Sequence, residues 1–385
     1  MRGGAAVGVL CSVVFSASSL LSLVWHRHWT PSSPDTDEAD PYLASLVSSL
    51  QAVQSTSRLR ERTKRGLEDR VVQLSYPWLT NRKTLRHYFT GPPTDEGRYG
   101  TSAFVFVNHH RTAEGSLLRC LEDIARENSL AMSPHMSSDT RYDWDTNEAL
   151  SERHRSKIDM HRGQYSFGVC DNQTKDCSYV FMLRDPLERA ISSYQYCQTA
   201  LADELCGVVD AREVSLRDWI VKQGSLAFQQ LTFNPEHCVE SRNGSVSAAW
   251  TPPCWHEHKL WLEALDPNRR RLLLNHVIAN MDKWFSVVGI LDDMDTFTQA
   301  VNHVHKLPFP KCDRLKNIDT DGSTVTNSAN KKKRKELEEE SYDNNPSYVK
   351  YDFAVKIALE PDYEIYKKVK DLNKFQKQLL SNKVK

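Results

Sequence analysis

The sequence predicts an α/β domain of three layers, with helices on both faces of a central, mainly parallel sheet. Three observations carry that expectation. Phe104–Asn108 and Tyr179–Leu183 are short, almost wholly apolar runs of the kind that form inner strands. Each run leads into a polar loop and then into apolar residues at helical spacing, the order of elements that builds a parallel sheet. The roughly 290 residues of 98–385 are enough for one large core.

Residues 1–4 form a short tail, and Ala5–Trp25 is a run of 21 positions without a charge. A helix needs about 20 such residues to cross a bilayer, so the segment reads as a single-pass anchor. Its rival is a cleaved signal peptide with Arg2 as the basic region and small residues near Ser16–Ser19 at the cleavage site. Residues 26–97 read as a stem. Thr30–Pro41 is rich in Pro, Ser and Asp, and Leu43–Leu74 suits a helix with a densely charged second half, either a self-associating stalk or, more plainly, a solvated single helix.

Behind Asn108 come His109, His110, Arg111, Thr112, Ala113, Glu114, Gly115 and Ser116, then Leu117, Leu118, Leu121, Ile124 and Ala125 along one helical face. Arg111 supplies a cation, Thr112 and Ser116 supply hydroxyls, and Gly115 permits close backbone approach, which are the ingredients of a phosphate cradle. The G-x-x-x-x-G-K-[ST] spacing is absent, which speaks against triphosphate hydrolysis and against a nucleotide kinase. Glu114 is unexpected, because a carboxylate beside a phosphate is repulsive unless it points away.

Tyr179–Leu183 runs straight into Arg184. Asp185 is a good N-cap, and Pro186 stands where its missing N–H loses nothing, so a helix starts there. Arg184 therefore ends a strand beside a helix N-terminus, where open α/β sheets bind anions. Ser192 lies nearly two turns past Asp185, on the same face and ~10 Å further along. A long phosphorylated ligand could touch both. The plainer account is a surface ion pair for Arg184 and packing for Ser192.

The loop Arg111–Ser116 and the segment Arg184-Asp-Pro-Leu-Glu-Arg-Ala-Ile-Ser192 resemble the two nucleotide-binding motifs of Golgi carbohydrate sulfotransferases, closest to the heparan sulfate 2-O and uronyl 2-O branch. Trp284–Phe297 is similar to that family's later strand, glycine and acidic helix start, which extends the likeness over residues 100 to 310. The resemblance implies a P-loop-like sulfotransferase fold, with 3'-phosphoadenylyl sulfate as sulfate donor and a hydroxyl of a glycosaminoglycan-like glycan as acceptor. It implies that Arg111, Thr112, Ala113, Gly115 and Ser116 hold the 5'-phosphosulfate, with Arg111 where the family has lysine. Arg184 and Ser192 then hold the 3'-phosphate. It further implies a type II protein of the Golgi membrane, bound to the bilayer through residues 5–25, with 98–385 in the lumen and no metal.

Sulfuryl transfer is an in-line displacement in which, by analogy with phosphoryl transfer, a protein supplies mainly position and charge. Arg111 is the expected cation at the leaving phosphate, and a histidine is the expected base for the sugar hydroxyl. The family's histidine stands about twenty residues before the second motif. Here that segment reads Met160-His-Arg-Gly-Gln-Tyr-Ser-Phe-Gly168, with Gln164 in its place. Glutamine cannot accept the proton. His161 is the first substitute, and His109 or His110 the second. The remaining alternative is a catalytically inactive protein of the same kind that binds nucleotide or glycan.

Of nine cysteines, Cys11 lies in the apolar segment, and the other eight are an even number that suits disulfides in an oxidising lumen. Cys197 with Cys206 and Cys238 with Cys254 are candidate local pairs, and the related enzymes carry short-loop cystines in this region. No paired C-x-x-C spacing suggests zinc. Asn172-Gln-Thr and Asn243-Gly-Ser are glycosylation acceptors in a secretory chain. Fifty basic and fifty acidic residues cancel, so no global field points to nucleic acid, and steering of an anionic glycan must be local. Lys331–Lys335 followed by Glu336–Glu340 reads as a solvated loop entering a helix. The resemblance adds a role for Lys331–Lys333 over the nucleotide or glycan, on a mobile loop at Asn317–Asn330. Trp250, Trp255, His256, His258 and Trp261 suit core packing better than a sugar groove.

Overall fold

The computed structural model describes residues 58–80, 102–136, 150, 152–173, 175–200, 203, 205–206, 209–234, 254–309 and 342–382. The expected anchor, Asn243, Cys238, Trp250, Asn317–Asn330 and Lys331–Lys333 lie outside them. The chain divides into two units, Met1–Leu67 and Glu68–Lys385, and apart from the first ten residues of the first helix every element that follows belongs to the second. Its helices and those leading into it are α1 (Arg58–Ser75), α2 (Pro77–Thr80), α3 (Glu114–Glu127), α4 (Glu152–Arg155), α5 (Pro186–Cys197) and α6 (Leu216–Gln223), then α7 (Leu226–Thr232), α8 (Cys254–Ala264), α9 (Pro267–Trp284), α10 (Met294–His305), α11 (Pro346–Val349) and α12 (Phe353–Asn382).

Five strands, β1 (Ser102–Val107), β2 (Met132–Met136), β3 (Met160–Gly163), β4 (Asp176–Leu183) and β5 (Phe285–Ile290), form one sheet in the order 2-3-1-4-5. Every pairing is parallel, so the α/β class expected from the sequence is the one observed. Alternation explains the unbroken apolar runs. Ala103, Val105 and Val107 of β1 join Tyr179, Phe181 and Leu183 of β4 in the core under α7, α8, α9 and α12. Phe104, Phe106, Val180 and Met182 face the opposite core, built from Leu117, Leu121 and Ile124 of α3 and Phe297 and Val301 of α10. A strand buried on both sides has no position to spare for a polar residue.

Val72, Tyr76 and Leu79 are buried in the first of these cores, so the compact unit takes in residues that the sequence assigns to the stem. Helix α5 starts as its sequence demands, with the Asp185 carboxylate accepting from the N–H groups of Leu187 at 3.0 Å and Glu188 at 3.2 Å, and Pro186 in the first turn. Disulfides join Cys197 to Cys206, an expected pair, and Cys170 to Cys177, which was not foreseen. Cys120 is also disulfide-bonded. Asn172 ends the 3-10 turn Val169–Asn172 that precedes β4.

Candidate anion-binding site beyond β1 and β4

The connection from β1 runs to β2 toward one edge of the sheet, and the connection from β4 runs to β5 toward the other. In open α/β sheets such a parting of connections leaves a crevice at the carboxyl ends of the two strands, and ligands bind there. The loops singled out by sequence follow these two strands, and they meet. Arg111 Nε donates to Ser192 Oγ at 3.2 Å, a contact across 81 positions. The same guanidinium lies 4.7 Å from the centre of the Tyr196 ring. Arg184 is 5 % exposed and donates to Glu188 Oε2 at 3.2 Å. Burial first, and then the charge of Arg184, lower the pKa of Arg111. Two guanidinium groups that repel each other in a partly buried crevice are relieved by an anion placed between them.

The backbone before α3 is unusual as well. Arg111 (φ 65°) and Ala113 (φ 56°) are both left-handed, an unusual state for side chains with a Cβ. They fold the chain tightly around Thr112, whose hydroxyl donates to the His109 carbonyl at 2.5 Å. Thr112 and Ala113 are buried and face inward, so this loop offers a ligand its backbone rather than those two side chains. Ala113 caps α3 without a side-chain hydrogen bond, and its carbonyl accepts from the Ser116 N–H at 3.1 Å and the Leu117 N–H at 3.0 Å, which leaves the Glu114 and Gly115 N–H groups at the start of the helix without an intrahelical partner. A Cβ placed on Gly115 would meet nothing within 4 Å, so open space stands over the start of the helix, with the partly exposed Ser116 beside it.

The histidines separate. His161 is the second residue of β3, opposite Val105, and is 1 % exposed. Gln173 and Lys175, which precede β4, are its polar neighbours, so its ring belongs to the amino-terminal half of the sheet. Gln173 lies beside the ring, yet neither ring nitrogen reaches hydrogen-bond geometry. Burial lowers its pKa to about 4. His161 is therefore not brought to Arg111 and Arg184; the strand ends at Gly163, two residues further on. His109 is at the crevice but committed: its Nδ1 meets Gln230 Oε1 at 2.5 Å, and burial, assisted by the charge of Arg189, pushes its pKa down to about 3. Gln230 in turn donates to the carbonyls of Asn108 at 3.1 Å and Gln164 at 3.0 Å.

His110 sits among charged groups. Its Nδ1 is 3.6 Å from Glu114 Oε2, its Nε2 is 3.7 Å from Asp203 Oδ1, and its ring is tilted against Tyr196. Glu114 turns back to accept from Asn108 Nδ2 at 2.5 Å, which resolves the oddity of a carboxylate at a phosphate cradle. Tyr196 donates to Asp203 Oδ2 at 2.8 Å, and burial together with that carboxylate pushes the phenol up to about 12. Burial alone would raise Asp203, but His110, the Tyr196 hydroxyl and the Leu205 N–H outweigh it and bring the carboxyl down to about 2. Tyr196 could have been found from sequence, since it follows Ser192 by four residues on one helical face. Asp203 and Gln230 carry no local signal.

Elsewhere, Trp255 and His258 are buried, and His258 stacks on Trp261 at 5.3 Å, so the described part of the aromatic and histidine cluster is packing. Among the described residues no group of three or more His, Cys, Asp or Glu is arranged to hold a metal. Comparison with protein-family models gives no match to this chain, and neither does comparison with curated proteins.

Proposed function

We propose that this chain is a sulfotransferase that moves a sulfuryl group from 3'-phosphoadenylyl sulfate to a hydroxyl of a glycan, in the lumen of the Golgi and anchored by residues 5–25. The observation that carries the proposal is the convergence of Arg111, Ser192 and Arg184 at the carboxyl ends of β1 and β4. One ligand with anionic groups at both ends of a nucleoside matches that arrangement. Arg184 and the Ser192 hydroxyl take the 3'-phosphate; Ser192 accepts from Arg111 and so keeps its own O–H to donate. Arg111, the Gly115 N–H and the Ser116 hydroxyl take the 5'-phosphosulfate, where the charge of the leaving phosphate develops. His110 is the histidine near this end and serves as base, in place of His161. The disulfides Cys170–Cys177 and Cys197–Cys206 suit an oxidising compartment.

The test is binding and turnover measured separately. Adenosine 3',5'-bisphosphate, titrated calorimetrically, is expected to bind wild type and to bind Arg184→Ala roughly 10- to 100-fold more weakly, the loss of one charge-assisted contact set. Labelled sulfate transfer to a glycan panel is expected with wild type and to fall with His110→Gln. Equal nucleotide affinity in wild type and Arg184→Ala would sink the site. Gln164 in the place of the family's histidine favours one second reading, binding without turnover, and nucleotide affinity with no transfer to any acceptor would select it.

A further inference from the structure

Charges cancel over the whole chain but not along α12. From Tyr363 to Asn382 this helix carries five lysines against two acids. Tyr363, Lys367, Lys370, Lys374 and Lys377 follow one another at intervals of four or three residues, so they share one face of the helix over ~21 Å. All five are exposed. Lys377 meets Asp293 at 3.0 Å, whereas Lys367, Lys370 and Lys374 form no ion pair among the described residues; Lys370 lies 5.5 Å from the centre of the Tyr366 ring. Of the two acids, Glu364 is held by Arg271, and Asp371 stands beside the stripe. The opposite face is committed. Ile365, Tyr366, Val369 and Leu372 are buried in the core, and Gln376 accepts from the Val288 N–H at 3.1 Å and donates to the Val288 carbonyl at 2.5 Å, which fixes the helix along the β5 edge. The stripe begins at the crevice: the charges of Asp185 and Glu188 reach Tyr363, and those of Asp185 and Arg184 reach Tyr366.

We propose that this face of α12 is a docking track for an extended anionic glycan, whose carboxylate or sulfate groups Lys367, Lys370, Lys374 and Lys377 hold outside the crevice; the class of partner rests on the sulfuryl-transfer reading above. Successive cations stand about 4.5 to 6 Å apart along the axis, an array that suits charges repeated along a chain and not one compact anion. Lysine is a mobile point charge on a flexible stem, so the track tolerates uneven spacing of sulfates. A lipid surface fits less well, because an interfacial helix needs a free apolar face, and here that face lies in the core with Phe375 the one large apolar side chain beyond Tyr363 left partly exposed. The disulfides Cys170–Cys177 and Cys197–Cys206 suit an oxidising compartment, which argues against nucleic acid. Held beside Arg184, a long chain stays at high local concentration while one of its sugars occupies the crevice.

The deciding experiment measures binding of a heparan sulfate octasaccharide to the full chain, without sulfate donor, over a range of salt. Wild type is expected to bind, and the triple variant Lys367→Gln, Lys370→Gln, Lys374→Gln to bind about 10- to 100-fold more weakly. Its slope of log Kd against log salt should be lower by about two, since each cation on a flexible polyanion contributes ~0.7. The control triple Lys222→Gln, Lys350→Gln, Lys356→Gln removes as much exposed charge elsewhere and should stay within about twofold of wild type. Both triples should keep their affinity for adenosine 3',5'-bisphosphate. No octasaccharide binding by wild type, equal losses in the two triples, or a stripe variant weakened only toward phosphatidylserine vesicles overturns the track. Binding that depends on the stripe, with no sulfate transfer to any glycan, would count against the sulfuryl-transfer reading alone. Transfer intact with octasaccharide affinity unchanged in the stripe variant would count against the track alone.

Discussion

Gln230 shows how single side chains make the site rigid. Its amide donates to carbonyls 122 and 66 positions earlier in the chain, at the ends of β1 and β3, and its oxygen meets His109. All three partners are buried, so Gln230→Leu strands two carbonyls and an imidazole N–H without water. We expect a loss of about 3 kcal/mol or more in unfolding free energy by urea titration, since each orphaned buried group costs ~1–3 kcal/mol. A change below about 0.5 kcal/mol, the range of ordinary surface substitutions, would show that the amide is dispensable. Residues of this kind explain what was legible in the sequence and what was not. Arg111, Arg184 and Ser192 could be found because strand ends and helix spacing place them locally. Asp203 and Gln230 act through contacts that only the folded chain creates. Counting residues toward Gln164 leads to His161 but ignores where the strand stops: His161 sits within β3, opposite Val105, and the crevice lies beyond Gly163.

At the scale of elements, strands β1, β4 and β5 are readable as apolar runs, and α3 and α5 as periodic segments with their start signals. Strand β2 is not, because Met132-Ser-Pro-His-Met136 carries a proline, which is tolerated here only because the strand lies at an edge of the sheet. Helix α12 is hidden for a related reason. Its apolar positions Val355, Leu359, Ile365, Val369 and Leu372 keep helical spacing, yet Pro361 interrupts the pattern and argues locally against one 30-residue helix. The packing of β5 on α10 depends on one absent side chain. A Cβ on Gly289 would lie 2.5 Å from the ring of Phe297, which is fully buried and has no space to retreat into. Gly289→Ala is therefore expected to cost about 1–3 kcal/mol, typical of overpacking, read as a lower Tm. The double variant Gly289→Ala, Phe297→Leu should recover part of it, and a Tm of the single variant equal to wild type would refute the close contact.

For the whole molecule, buried titratable groups decide the response to acid. Helices α5, α7 and α12 meet around Arg189, which is fully buried and donates to Gln223 at 3.0 Å, and Asp362, which accepts from the Phe228 N–H at 2.9 Å and the Ala227 N–H at 3.2 Å. Burial raises the Asp362 carboxyl to about 6 against the pull of Arg189, so its contribution to stability is present below pH 4 and is lost as pH rises through 6. His109 and His161 run the other way. Burial holds them at about 3 and about 4, below the ordinary 6.5, so their contributions are present above pH 6.5 and are lost as pH falls toward those values. Near pH 5 the unfolded chain binds both histidine protons and the folded chain binds the Asp362 proton. One net proton therefore favours unfolding, worth about 1.4 kcal/mol per pH unit. His161→Gln removes one histidine from that balance without adding charge and leaves the other opposed by Asp362. Urea unfolding at pH 5 and pH 6 should then show a shallower acid dependence in the variant than in wild type by about 1.4 kcal/mol per unit. Parallel pH curves for the two proteins would mean that His161 is already protonated in the fold.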